Sequence, residues 1–341
     1  MFYLGLDVHS KWSTIKGFDP DTGEVVEFKR VPNPALAEVV VRLAGPRHGV
    51  LETGTNAGAV HRQLRPYFER LVMADPVELW EGKRRGGKTD SRDALAMAQK
   101  LYHGQIKAVY VPDERTQDLR ALTRSKIRAT RWVTRLVNEM GSLLRMWGYV
   151  LPASLLSAKG ARFMASVELP THSTRVLKLW QEMLAKAQEL ERELEREVSR
   201  QAAADPQCRL LQTMPGVGPF TALVTRAELG DINRFADDKA LVSYGGLVAQ
   251  VWQTSEHFHY GRCGPGGNRW LRYALVLLAN RVARSRQDHR LRRLYWRVCL
   301  SCNKSNPAKM AVARKALQLM YHMLKRGEVF RDLPEQKSSA A

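Results

Sequence analysis

Two hydrophobic periodicities divide the chain. Over the first 111 residues, short apolar runs alternate with amphipathic stretches. The run Phe2-Tyr3-Leu4-Gly5-Leu6, ended by Asp7, reads as a buried first strand. Runs over 13–18 and 25–29 flank the turn Asp19-Pro20-Asp21-Thr22-Gly23 and predict a hairpin. A helix over 34–44, a strand over 48–52, a helix over 58–70, a strand over 71–74 and a helix over 91–103 follow. From 114 the period lengthens. A helix over 114–147 carries Leu119, Leu122, Val133, Leu136, Met140 and Leu143 on one face. Residues 148–172, with Gly, Pro and Ser, read as a connector. A second long helix over 173–203 lines up Leu177, Leu184, Leu190, Leu194 and Val198, with Glu and Arg outside. The pair reads as a helical hairpin or coiled-coil stalk suited to oligomerisation. Short helices over 207–213 and 220–229 bracket Met214-Pro215-Gly216-Val217-Gly218-Pro219, and an apolar helix covers 270–284.

The expected organisation is therefore α/β followed by α. An α/β domain spans 1–111, a helical coiled-coil region 112–206, a mainly helical C-terminal domain 207–335, and a flexible tail 336–341. Three meandering strands followed by αβαβα is the element order of a ribonuclease-H-like fold. In that fold an acid on the first strand, one on the fourth strand and one or more on the last helix meet.

Charge narrows the partner. The 341 residues carry 54 Lys+Arg against 34 Asp+Glu, a formal charge of +20. So large an excess points to a polyanion, most commonly nucleic acid. There is no apolar stretch of about 18 residues, so a soluble, cytoplasmic, nucleoid-associated protein without a membrane partner is expected. Cys208, Cys263, Cys299 and Cys302 make no disulfide framework in a chain this long. Cys299 and Cys302 have zinc-knuckle spacing without a second Cys/His pair, and read as helix-borne thiols.

Four acids fall where that fold would gather them. Asp7 ends the first strand, Glu52 ends the fourth before Thr53-Gly54-Thr55, and Asp90 and Asp93 lie three apart at a helix start. Residues three apart on a helix share a face. Such a convergence would hold a divalent metal over a phosphodiester, since Mg²⁺ takes several hard oxygen ligands. The plainer alternative is an N-cap with a dipole-favoured neighbour.

Basic residues cluster around these acids and beyond. Lys83, Arg84 and Arg85 precede the acidic helix, where they can grip a nucleic-acid backbone. Arg120, Arg124, Arg128, Arg131 and Arg135 recur at spacings of four and three down one helix face. Arg120, Arg124, Arg128 and Arg131 have no Glu at i±4, so the stripe is either a repelling solvated face or a track for phosphates, RNA among them. Gly216 and Gly218 lie in a turn between short helices, either a helix-hairpin-helix that binds phosphate through backbone N–H groups or a tight turn needing glycine. Arg262, Arg269 and Arg272 can clamp a phosphate, with Ser255 or Thr254 as nucleophile; on residue chemistry alone a serine there is a turn residue.

The chain resembles the DEDD-type insertion-sequence transposases of the IS110 family, which includes Piv-like invertases and bridge-RNA-guided recombinases. The resemblance rests on Gly5-Leu6-Asp7-Val8-His9-Ser10, Leu51-Glu52-Thr53-Gly54, Lys88-Thr89-Asp90-Ser91-Arg92-Asp93-Ala94 and Met214-Pro215-Gly216-Val217-Gly218-Pro219. It continues from Tyr244-Gly245-Gly246-Leu247 through Gly261-Arg262 to Asn268-Arg269-Trp270-Leu271-Arg272. The resemblance implies a RuvC-like N-terminal domain, Mg²⁺ on Asp7, Glu52, Asp90 and Asp93, and a C-terminal serine that attacks DNA. It also implies donor and target DNA, a bridge (guide) RNA, and a homo-oligomer, dimer or tetramer, as partners. Family members carry Ser-Gly after the Gly-Leu-Val segment, whereas this chain reads Gln253-Thr254-Ser255-Glu256. A gap-free count places Thr254 at the serine position and Ser255 one later; Ser255 is taken as the nucleophile. The alternatives are a metal-only RuvC-like nuclease or junction resolvase, and a catalytically decayed nucleic-acid-binding relative.

Overall fold

The computed structural model describes residues 1–79, 90–254, 257–264 and 266–332. The chain divides into two compact units, residues 1–111 and 112–341. The first is built on a six-stranded mixed sheet in the order β3-β2-β1-β4-β5-β6. Its strands are β1 (Phe2–Val8), β2 (Trp12–Phe18), β3 (Val25–Pro32), β4 (Arg47–Glu52), β5 (Arg70–Ala74) and β6 (Ala108–Val109). β1, β4 and β5 run parallel, while β2, β3 and β6 pair antiparallel to their neighbours.

Strand alternation sorts the side chains onto two faces. Leu4, Leu6 and Leu51 pack with Leu36 and Val40 of α1 (Leu36–Val41) and Val60 and Leu64 of α2 (Ala57–Leu64). Val50 packs with Leu79 of α3 (Pro76–Leu79) and with Met97 and Leu101 of α4 (Asp90–Tyr102). Two expected helices are shorter than their apolar pattern. Pro34 lies in a 3₁₀ turn before α1, and Pro66 turns the end of α2 into a second, because proline lacks the N–H that continues a helix.

The second unit is helical apart from one hairpin, among the described residues. The helices α5 (Glu114–Met146) and α7 (Thr171–Ala204) form an antiparallel pair through Leu136, Met140, Leu144, Leu177 and Leu184. The connector expected over 148–172 contains α6 (Ala158–Ala165), started by a Ser157 hydroxyl that accepts from the Gly160 N–H at 3.0 Å. The lower ends of the pair, at Leu119, Ile127, Val198 and Ala202, enter a core with α8 (Pro206–Leu211) and α9 (Pro219–Leu229). α10 (Asp238–Tyr244), α11 (Arg269–Arg284), α12 (Arg290–Cys302) and α13 (Ser305–Arg326) complete that core.

The strands on either side of residues 255–256 pair as an antiparallel hairpin, β7 (Ala249–Thr254) and β8 (His257–Cys263). At its base Gly246 and Gly267 both take positive φ (64° and 81°). A Cβ on either would strike the other segment's backbone, so only glycine permits the crossing.

Candidate active site

The sheet register builds the site. Leu6 pairs with Leu51, so the next residues, Asp7 and Glu52, stand level on adjacent parallel strands. Gly5 and Asp7 share one face by alternation, as do Val50 and Glu52, and Val50 shows this to be the face under α4. Gly5 then lets α4 come down: a Cβ there would overlap the Ala94 carbonyl. The helix thereby delivers Asp90 and Asp93, both in its first turn, to the end of β1. Lys16 of β2, opposite Gly5, donates to Ser91 Oγ at 3.0 Å and pairs with Glu27 at 3.5 Å, tethering that turn from the side.

The charges agree with this convergence. Burial pushes the Asp7 carboxyl above its ordinary value; His9 opposes this, and Asp90, Asp93 and Glu52 raise it further. Asp93 is buried, whereas Asp7 and Asp90 are partly exposed. His9 Nε2 lies 3.5 Å from Asp7 Oδ2 and 3.4 Å from Asp90 Oδ2, and the three donor atoms lie within 4.8 Å of one another. This group can hold a metal ion: its donors are close, and its crowded carboxylates gain from a cation among them. Sequence pattern alone does not single out His9. It lies one residue beyond the end of β1, where strand alternation no longer fixes the direction of a side chain.

The arginine stripe divides. Arg124 makes a two-pronged pair with Glu228, at 2.8 and 2.9 Å, and Glu228 is fully buried. Arg120 is buried and donates to the carbonyls of Ala227 and Glu228. This differs from a stripe facing phosphates throughout, because the balancing carboxylate comes from α9 rather than from i±4. Arg128 and Arg131 are exposed and each lies 5.5 Å from the Trp270 ring; Arg269 lies 4.7 Å from it. Arg135 is exposed and pairs with Glu139 at 3.6 Å.

The other expected phosphate-binding groups scatter. Arg272 donates to the carbonyls of Gly246 and Gly264, holding the hairpin base rather than standing ready as a clamp. Gly216 takes φ +85° against Val282, and Gly218 caps α9 beside Arg281. Lys83, Arg84, Arg85 and Ser255 lie outside the described residues, as do the side chains of Thr254 and Arg262; Thr254 and His257 are backbone partners.

A further partnership surfaces at Glu228. Its carboxylate also accepts from Asn268 at 2.8 Å, and Asn268 caps α11 and reaches Tyr244 Oη at 3.0 Å. The buried carboxylate thus joins α5 and α9 to the start of α11, and Tyr244 Oη donates to the Glu228 backbone carbonyl at 3.0 Å. Nothing local in the sequence announces it, since its partners are 40 and 104 residues away.

The chain is similar to known transposases. The model for DEDD transposases of IS110, described as "Transposase", matches residues 4–147. A second, "Transposase IS116/IS110/IS902 family", matches residues 208–305. The transposase for insertion sequence element IS1111A of Coxiella burnetii is 26% identical, with 96% of this chain and 91% of that protein covered. The insertion element IS110 uncharacterized 43.6 kDa protein of Streptomyces coelicolor is 25% identical, with 96% and 95% covered. The transposase for IS1328 of Yersinia enterocolitica is 26% identical over 72% of this chain and 74% of its own. Among the described residues no helix is long and apolar enough to cross a membrane. With both family models matched in order along the chain, the chain belongs to the IS110 family of insertion-sequence transposases and is a DNA transposase.

Proposed function

We propose that this transposase cuts and rejoins DNA with Mg²⁺ held by Asp7, Glu52, Asp90 and Asp93 in a ribonuclease-H-like, RuvC-like first unit, and with Ser255 as nucleophile. One observation carries the reading: Asp7 stands level with Glu52 while α4 brings Asp90 to the same ion-sized cluster. Mg²⁺ there supplies Lewis-acid polarisation of the scissile phosphate and neutralises charge on the departing 3′ oxygen. The carboxylates of β1, β4 and α4 hold and orient that charge from a rigid sheet and helix. Ser255 Oγ forms the new bond to phosphorus as the bond to the 3′ oxygen breaks, and the serine proton passes to solvent or a nearby base. The phosphoserine retains the energy of the broken bond, so the strand is resealed to a new partner without ATP.

Arg128, Arg131 and Arg269, exposed around Trp270, are the part of the basic surface suited to phosphates, and a bridge RNA is the partner proposed for it. Arg120 and Arg124 support that surface from within. Synapsis of donor and target DNA by a homo-oligomer completes the scheme.

Asp7→Asn and Asp90→Asn keep side-chain shape and lose the charge that holds Mg²⁺. Each should abolish strand cleavage while nucleic-acid binding stays within a few-fold. Full recombination by both variants in Mg²⁺ would overturn the assignment.

A further inference from the structure

His9 is mounted more firmly than a partly exposed ring requires. Its N–H donates to the Trp12 carbonyl at 3.0 Å, and its own carbonyl accepts from Asn33 Nδ2 at 3.0 Å and Asn56 Nδ2 at 3.3 Å. The imidazole lies 4.1 Å from the Trp12 ring, which also carries the Arg30 guanidinium at 5.1 Å. Arg30 adopts a left-handed φ of 50°, a conformation that non-glycine residues take at some cost. Backbone and ring are therefore both held.

What they hold is a nitrogen aimed at two carboxylates. Nε2 is buried and makes no hydrogen bond among the described residues. Its separations of 3.5 Å from Asp7 Oδ2 and 3.4 Å from Asp90 Oδ2 exceed the usual charge-assisted hydrogen bond of about 2.7–2.9 Å. They suit donors sharing an ion. Ligands about 2.0–2.1 Å from an octahedral ion stand about 2.9 Å apart when adjacent and about 4.1 Å apart when opposite, so these separations lie within the span of one coordination sphere.

We propose that His9 is a nitrogen ligand of the metal site, converting an all-carboxylate cluster into a mixed nitrogen–oxygen one that prefers Mn²⁺ to Mg²⁺. The proposal rests on Asp7 and Asp90 being metal-holding residues. A neutral imidazole is a common ligand for first-row transition ions, whereas Mg²⁺ favours oxygen donors and keeps its waters. Loss of the nitrogen should thus weaken Mn²⁺ far more than Mg²⁺.

The test uses the full chain without nucleic acid, titrated with Mn²⁺ and with Mg²⁺, and pulsed electron paramagnetic resonance on the Mn²⁺ form. The wild type should show ¹⁴N modulation from a directly bound nitrogen. His9→Ala and His9→Gln should lose it, and their Mn²⁺ affinity should fall by at least roughly tenfold while Mg²⁺ affinity changes little. Thermal unfolding of both variants shows that they remain folded, and the wild-type spectrum needs no variant at all. Bound Mn²⁺ without ¹⁴N modulation, or modulation that survives both substitutions, would overturn the proposal. A wild type that binds neither ion would overturn the carboxylate reading and the proposal together, a result distinct from loss of the nitrogen signal alone.

Discussion

Gly5 lies directly under the Ala94 carbonyl, with no room for a side chain between strand β1 and helix α4. That approach sets the height of the helix whose first turn carries Asp90 and Asp93. Gly5→Ala must lift or tilt α4, an overpacking that costs about 1–3 kcal/mol. Expected outcomes are a lower Tm and loss of metal-induced stabilisation, while Gly23→Ala, in an open turn, leaves metal binding intact. Calorimetry with and without Mg²⁺ checks both; unchanged metal binding in Gly5→Ala would remove the glycine from the site's construction.

Asp7 gives a pH dependence of definite sign. Its folded pKa is raised, chiefly by burial, so its contribution to stability is favourable at low pH and is lost as pH rises through the folded value. At neutral pH the metal-free protein carries an unfavourable charge there. Asp7→Asn should therefore raise the metal-free Tm at neutral pH, with the gain shrinking as pH falls toward the ordinary carboxylate range. The same variant should lose stabilisation by divalent ions. A Tm lowered by the substitution at neutral pH would contradict this.

Glu228 and the exposed arginines should separate cleanly. Arg124→Met leaves a fully buried carboxylate short of its bidentate partner and should destabilise by about 3 kcal/mol. Arg128→Gln with Arg131→Gln should leave Tm nearly unchanged and flatten the salt dependence of RNA binding, by roughly 0.7–0.9 in slope for each phosphate no longer neutralised. An unchanged slope would return these two arginines to a solvated face.

Thiol reactivity reports on the second core. Burial pushes the Cys208 thiol up to about 12, and its side chain is fully enclosed, whereas Cys302 is exposed. Only the thiolate alkylates readily. Iodoacetamide on the native protein should label Cys302 well before Cys208, with Cys208 reacting on unfolding. Early labelling of Cys208 would show that this core opens readily.

The elements of the first unit are legible because each signal is local. Short apolar runs mark β1 and β4, and the Asp19–Gly23 turn marks the hairpin. The same pattern places the four acids on strand ends and a helix start. His9 is visible in the sequence yet carries no signal until Trp12, Asn33 and Asn56 are seen to hold it. The stripe through Arg120 and Arg124 misleads for a physical reason. Helical spacing shows which residues share a face, not what packs against it, and Glu228 arrives from 104 residues away. The β7–β8 hairpin hides for another reason. Its polar residues and glycines read as turns, and its pairing is set by a base that Gly246, Gly267 and Asn268 close.

The most direct measurement is the covalent adduct itself. Wild type, Asp7→Asn and Ser255→Ala would be incubated with element-end DNA, any copurifying RNA and Mg²⁺, denatured in SDS, and mapped by mass spectrometry. The expected result is an SDS-stable protein–DNA link with phosphate on Ser255, present only in the wild type. Phosphate on Thr254 would make the gap-free register correct and the serine assignment wrong. Cleavage by the wild type with no adduct would contradict the nucleophile outright and leave a metal-only nuclease, while neither cleavage nor adduct would mark a decayed relative.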